Sequence, residues 1–312
     1  MPICVDCGKE TPRDEMRGAP GDLRCPACVQ KRYPIYEPPP RQQAHSQYTP
    51  LTSSLILAAV LCTLMSQSHP EITNHLRAYP SAIWEGHVWR LATTTLLHEG
   101  IFHLIFNVWF IWVFGRPVEA WLGSLLYGGL LLLCAAGPVG VEILFHPSVP
   151  VGLSGVGFAL FGMHFALRHD KDFAAATMHP QTVMWVVGWF FLCIALTYTN
   201  VMPIANIVHG AGAVLGWLFG MAAVSQRRIL SVAGACVVAL LMSASCMYMP
   251  WNSDYAFNRA MRCSRAGDTA GTLYWMQRVG GSRAPELQEI LNSERLRRAP
   301  IQIEIVPSES HE

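Results

Sequence analysis

Seven long apolar runs, with few charges between them, decide what this 312-residue chain can fold into. They lie near 51–66, 101–115, 119–137, 151–167, 182–199, 204–224 and 229–249. Several fall short of the ~20 residues that cross a bilayer, the first two most of all, but flanking Tyr, Trp and Thr extend them into the interface. Inside lipid the backbone must satisfy its own hydrogen bonds, so these runs are expected to be helices. The charge content agrees. Asp, Glu, Lys and Arg make up 14% of the chain and apolar residues 52%, where a soluble protein carries about 25% charged residues. The formal net charge of +1 offers no basic field for nucleic acid, which is not expected as a partner. The expected fold is an all-α polytopic membrane protein in contact with the lipid bilayer.

Lys and Arg in the short loops set the orientation. Lys31, Arg32 and Arg41 precede the first run, Arg116 follows the second, Arg168 and Lys171 the fourth, and Arg227 and Arg228 the sixth. All fall on one side if the N-terminus is cytoplasmic. The opposite loops, 138–150 and 200–203, contain neither residue type. Arg77 and Arg90 lie in a longer loop, 67–97, where the rule is weaker; that loop is expected to be partly helical and to lie on the membrane. Seven spans put the tail outside, although Arg259, Arg262 and Arg265 oppose that placement. The first 15 residues hold no apolar h-region, so no secretory signal peptide is expected.

Residues 1–34 form a separate polar module. Cys4 and Cys7 make one C-x-x-C, Cys25 and Cys28 another. Two such knuckles complete a tetrahedral zinc site with no open position for water, and metal binding supplies the folding energy that so small a core cannot. Two disulfides are the alternative, disfavoured by a cytoplasmic location. Residues 35–50 are a Pro-rich linker stiffened by Pro38–Pro40. The expected order continues with a membrane core over 51–225, an additional span over 226–250 and a polar tail over 251–312. Short helices are expected in that tail at Tyr255–Cys263 and Pro285–Arg297.

Three polar constellations interrupt the apolar runs. Ser154 stands in "VGLSGVG", at the outer start of the fourth run. Flanking glycines expose its hydroxyl, and unpaired helix N-terminal amides can stabilise an oxyanion there. Small residues are also common in membrane helices for packing alone. His209 stands in "NIVHGAGAVLG". An imidazole inside a span is costly and suggests function, although a hydrogen bond to a backbone carbonyl would also account for it. Gly212 and Gly216 would let that helix pack closely on the one bearing Ser154. The third constellation, "HEGIFHLIFN", places His103 and Asn107 on one helical face, where both can donate hydrogen bonds to a developing negative oxygen. Metal catalysis is the competing idea, but no H-E-x-x-H or suitably spaced carboxylate accompanies the histidines.

Taken in order, these motifs resemble the rhomboid family of intramembrane serine proteases over about 51–225. The shared features are Trp89–Arg90, H-x4-H-x3-N at His98, His103 and Asn107, and "GRPVEAWLG" with Gly115, Glu119 and Gly123. They continue with G-x-S-G at Gly152–Gly155 and H-x-x-G-x-x-x-G at His209, Gly212 and Gly216. The resemblance implies a six-helix core with a seventh span added and the zinc-ribbon-like module in front. It implies Ser154 as nucleophile, His209 as general base, and His103, Asn107 and the Ser154 amide as the oxyanion hole. It also implies that His98 holds the outer loop and second span in place and that Glu119 braces the cytoplasmic side. Phe158 departs from the family, which often has Tyr there, and Val208 stands where Ala is common.

The activity so implied is serine endopeptidase cleavage, through a Ser-His dyad, of peptide bonds in or near transmembrane segments. Substrates would be single-span membrane proteins with lateral access past the fifth span, in a bacterial inner membrane. Structural zinc is the only cofactor expected, and a cytoplasmic partner of the zinc module is possible. The alternative is a catalytically inactive rhomboid-like protein that binds membrane clients.

Overall fold

A computed structural model describes residues 1–16, 22–32, 48–146, 149–280 and 283–298. The chain divides into two units, Met1–Tyr48 and Thr49–Glu312. In the first, Ile3 and Glu10 form an isolated antiparallel bridge, and helix α1 (Pro26–Arg32) starts directly after Cys25 and carries Cys28 in its first turn. Its buried core is Cys4, Met16 and Cys25, with Leu23 and Cys28 packed against them. Most of the Pro-rich linker, including Pro38–Pro40, lies outside the described residues, as does the chain beyond 298.

Among the described residues, the second unit is built from helices. α2 (Pro50–Ser68) leads into a loop folded as α3 (Pro70–Leu76), α4 (Pro80–Trp84) and α5 (Arg90–Thr93). α6 (Ile101–Phe110) continues through a π-helical turn at Ile111–Gly115 into α7 (Arg116–Leu122). Next come α8 (Ser124–Phe145), α9 (Ser154–Leu167), α10 (Asp172–Thr177), α11 (Pro180–Tyr198), α12 (Asn206–Val224) and α13 (Arg228–Ala244). α14 (Ser253–Arg265), α15 (Thr269–Met276) and α16 (Arg283–Arg298) end the described chain. Proline opens α2, α3, α4 and α11, where its missing N–H costs nothing and its fixed φ suits the first turn.

Among the described residues, α2, α6–α7, α8, α11 and α12 are long and apolar enough to cross a bilayer; α9 and α13 are shorter apolar helices. The molecule is thus an all-α, polytopic membrane protein. Two expected boundaries are corrected. The second run does not stop at 115, because the π-helical turn carries the helix on to Leu122, with Arg116 placed over the Trp112 ring. The break falls at Gly123, whose φ of +77° suits glycine. The third run does not stop at 137, because α8 passes through Pro138 to Phe145. A proline inside a membrane helix is tolerated where neighbouring helices compensate for the lost hydrogen bond.

α9 and α12 form the centre. Every residue of α9 from Gly155 to Leu167 except Phe165 is buried, as expected of a helix that is apolar all round. Backbone meets backbone along the pair. A Cβ at Gly162 would strike the Ala213 carbonyl, one at Gly212 the Gly155 carbonyl, and one at Gly216 the Ala159 carbonyl. The 14 residues of α9 span about 21 Å, against about 30 Å of hydrocarbon.

At the serine end a second core forms outside the helix bundle. Tyr255, Ala260, Trp275 and Leu287 of the C-terminal helices pack with Ile83, Trp84 and Leu91 of the loop and with Val139 and Ile143 of α8. The Trp84 indole donates to the Cys246 carbonyl (2.9 Å), and Arg262 donates to the Trp84 carbonyl (2.7 Å). Two helices match those expected in the tail; α15 between them carries too little periodicity to have been foreseen.

Candidate active site

Ser154 is the first residue of α9, and His209 lies in the first turn of α12. The close approach of those helices brings His209 Nε2 to 2.9 Å from Ser154 Oγ. His209 is buried, and its Nδ1 has no hydrogen-bond partner among the described residues. Among the described residues, no carboxylate hydrogen-bonds to the far side of the imidazole. Phe158, one turn below the serine, stacks on the His209 ring with centroids 4.7 Å apart and planes at 26°. The aromatic face sets the ring's tilt without a hydrogen bond.

The segment entering Ser154 is held from three directions. Thr94 Oγ1 donates to the Pro150 carbonyl (2.5 Å), and Gly152 N–H donates to the Thr94 carbonyl (3.4 Å). Leu153 N–H donates to His98 Nε2 (3.3 Å). That contact makes Nε2 an acceptor, so Nδ1 carries the proton toward Thr63 Oγ1 at 3.2 Å. His98 thus ties α2 to the residue before Ser154, a more direct connection than the expected bracing of the second span. At Gly152, φ is +103° and a Cβ would lie 2.7 Å from His103 Cε1 and Nε2, so only glycine admits the His103 ring beside the serine segment.

Asn107 is buried on the same face of α6 as His103, and its Nδ2 donates to the His103 carbonyl at 2.8 Å. One of its two amide hydrogens is thereby engaged, and the other remains to donate. The amides of Ser154, Gly155 and Val156 are among the first N–H groups of α9, which have no intrahelical acceptor. Serine hydroxyl, imidazole and a set of donors thus meet at the start of one helix. Such an arrangement can activate a hydroxyl and receive negative charge on an oxygen.

Glu119 lies at the opposite end of the bundle. Its buried carboxylate accepts from Leu51 N–H (2.9 Å), Thr52 N–H (2.8 Å), Thr52 Oγ1 (2.6 Å) and Ser124 Oγ (2.7 Å). It therefore caps the start of α2 from another helix. Two buried polar residues in this unit were not singled out from sequence. His164 bridges the Phe114 carbonyl freed by the π-helical turn (2.9 Å) and Thr177 Oγ1 (2.7 Å). Glu142 accepts from Val208 N–H (3.2 Å). A polar side chain inside an apolar helix was the available signal for both. Glu142 falls in 138–150, a loop by the charge pattern of the sequence, whereas α8 runs on to Phe145 and buries it.

In the first unit the sulfurs of Cys4, Cys7, Cys25 and Cys28 all lie within 4.8 Å of one another, and Cys7 and Cys25 are 3.7 Å apart. A zinc ion with four Zn–S bonds of about 2.3 Å needs sulfurs about 3.8 Å apart, so this set fits. The Cys25 backbone N–H, foremost, lowers the Cys4 thiol to about 6, whereas hydrogen bonding with Cys7 pushes Cys28 up to about 12. One thiolate forms easily in this cluster, and four together require a cation.

Residues 85–226 match the family model described as the rhomboid domain. The chain is 29% identical over 178 residues to the rhomboid protease GlpG of Pectobacterium atrosepticum, a match covering 54% of this chain and 61% of that one. It is 32% identical over 136 residues to GlpG of Serratia proteamaculans, covering 42% and 46%. It is 30% identical over 151 residues to rhomboid-like protease 1 of Toxoplasma gondii, covering 46% and 50%. The chain thus spans about half the length of these relatives.

Proposed function

We propose that this chain belongs to the rhomboid family, whose domain model matches residues 85–226, and that it is an intramembrane serine endopeptidase in which Ser154 and His209 form the catalytic dyad. The observation that carries this reading is the 2.9 Å contact between His209 Nε2 and Ser154 Oγ at the start of a short apolar helix. Ser154 Oγ attacks the substrate carbonyl carbon while its proton passes to His209 Nε2. The resulting oxyanion is met by the Ser154 amide, the second Asn107 amide hydrogen and His103. As the tetrahedral species collapses, His209 returns the proton to the leaving nitrogen and an acyl-enzyme remains. Water, deprotonated by His209, then attacks the ester carbonyl and frees the serine.

Single-span membrane proteins are the substrates of this reading, since a helix must unwind locally to offer a carbonyl to the serine. Seven spans, a cytoplasmic N-terminus and an inner-membrane location fit the distribution of Lys and Arg between the loops. Cys4, Cys7, Cys25 and Cys28 would hold a structural zinc in a polar cytoplasmic module suited to a cytoplasmic partner.

Detergent-purified protein and its Ser154→Ala variant, compared on a single-span model substrate, test the proposal. Cleavage by the wild type and none by the variant is expected. Equal cleavage by both overturns the dyad; a folded wild type that binds the substrate without cutting it favours a client-binding role instead.

A further inference from the structure

A carboxylate inside a membrane helix is costly and calls for a specific reason. Glu142 lies near the serine end of α8 and is 4% exposed. Its Oε2 accepts from Val208 N–H, in the first turn of α12. The N–H groups of that turn lack intrahelical acceptors, and the cap residue, Ala205, has no side chain that can accept one. Negative charge is also favoured at a helix N-terminus. Glu142 therefore caps α12 from a neighbouring helix, one residue before His209.

The other side of Val208 faces the nucleophile's helix. Its Cγ1 occupies the space that a Cβ on Gly155 would need, one residue after Ser154. Val208 is thus fixed at two points, its amide on Glu142 and its side chain on Gly155. The residues next to those points, His209 and Ser154, make the dyad contact. A slip of α12 by one residue is about 1.5 Å, enough to break a hydrogen bond. Resting on the protease reading, we propose that Glu142 is a positioning residue that holds the first turn of α12 in place, so that the imidazole stays on the serine.

The test uses the full chain with kcat and KM measured separately on a single-span model substrate, alongside thermal unfolding in the same detergent. Glu142→Gln keeps an oxygen acceptor for Val208 N–H, and its kcat should stay close to wild type. Glu142→Ala should lose kcat by roughly 10- to 100-fold, as for a small misplacement of a reacting group, with KM little changed. If the alanine variant does not fold, Glu142→Asp, which draws the carboxylate back by one methylene, should lose kcat in the same sense. Wild-type kcat in the folded alanine or aspartate variant overturns the proposal. So does a glutamine variant as damaged as alanine, or a loss confined to KM. Ser154→Ala is run in parallel: cleavage that does not depend on Ser154 sinks the protease reading and this one together, whereas serine-dependent cleavage unaffected by Glu142→Ala sinks this one alone.

Discussion

Gly216 of α12 lies directly against the carbonyl of Ala159 in α9, with no room for a methyl group between them. Because the neighbour is backbone, it cannot swing aside. Gly216→Ala should force the helices apart, destabilise the protein by about 1–3 kcal/mol through overpacking, and depress cleavage beyond the fraction unfolded because His209 moves with α12. Gly188, on α11, has nothing within 4 Å of a built Cβ, so Gly188→Ala should leave activity unchanged. Thermal unfolding and cleavage assays on the two variants check both outcomes. Equal behaviour would remove the close approach as the source of the dyad geometry.

His103→Ala and Asn107→Ala should each lower kcat by roughly 10²- to 10³-fold, the usual cost of one lost oxyanion donor, with KM close to wild type. The backbone amide of Ser154 remains in both variants, so residual activity should persist. Steady-state kinetics on a common substrate decides. A change only in KM would assign these side chains to substrate binding.

Glu119→Ala should act on stability, because it leaves the Thr52 and Ser124 hydroxyls and two backbone amides without their acceptor. Hydrogen bonds to a charged group contribute about 1.5–3 kcal/mol each, and their losses are not additive. A clear fall in Tm is expected, with kcat per folded molecule preserved, since Glu119 lies at the end of the bundle opposite Ser154. A loss of kcat without a loss of Tm would contradict a capping role.

Metal analysis of the full chain should find one zinc ion, and none after deletion of residues 1–34. Chelation should unfold the first unit, whose described residues bury only the small core of Cys4, Met16 and Cys25. Cleavage of a model substrate in detergent should continue. Failure of a well-folded deletion variant on every model substrate would show that the module takes part in catalysis.

Much of this architecture was legible because lipid imposes simple rules. Long apolar runs can only be helices there, and Ser154, His209, His103 and Asn107 stand out as polar groups within them. What the chain hides is how its helices continue past signals that stop helices in water. Pro138 reads as a terminator, yet α8 passes through it, and that continuation buries Glu142. The π-helical turn at Ile111–Gly115 leaves no mark in the pattern, so the carbonyl it frees and the histidine that meets it, His164, could not be paired from sequence. The trans caps from Glu119 and Glu142 join residues 67 and 66 positions apart, a separation that local patterning does not register.

The bond from Arg262 to the Trp84 carbonyl spans 178 positions of sequence, and this gives the protein a calendar as well as a shape. A ribosome adds about 5–20 residues per second, so roughly ten to thirty-five seconds pass between the synthesis of Trp84 and that of the residue that clasps it. During that time the loop lacks this cover for its indole, while the segments bearing Ser154 and His209 are synthesised. Helices α14 to α16 therefore complete the core around Trp84, which closes only once Arg262 has been made. A gene trimmed to the region matching the rhomboid domain would encode a chain that never reaches that moment.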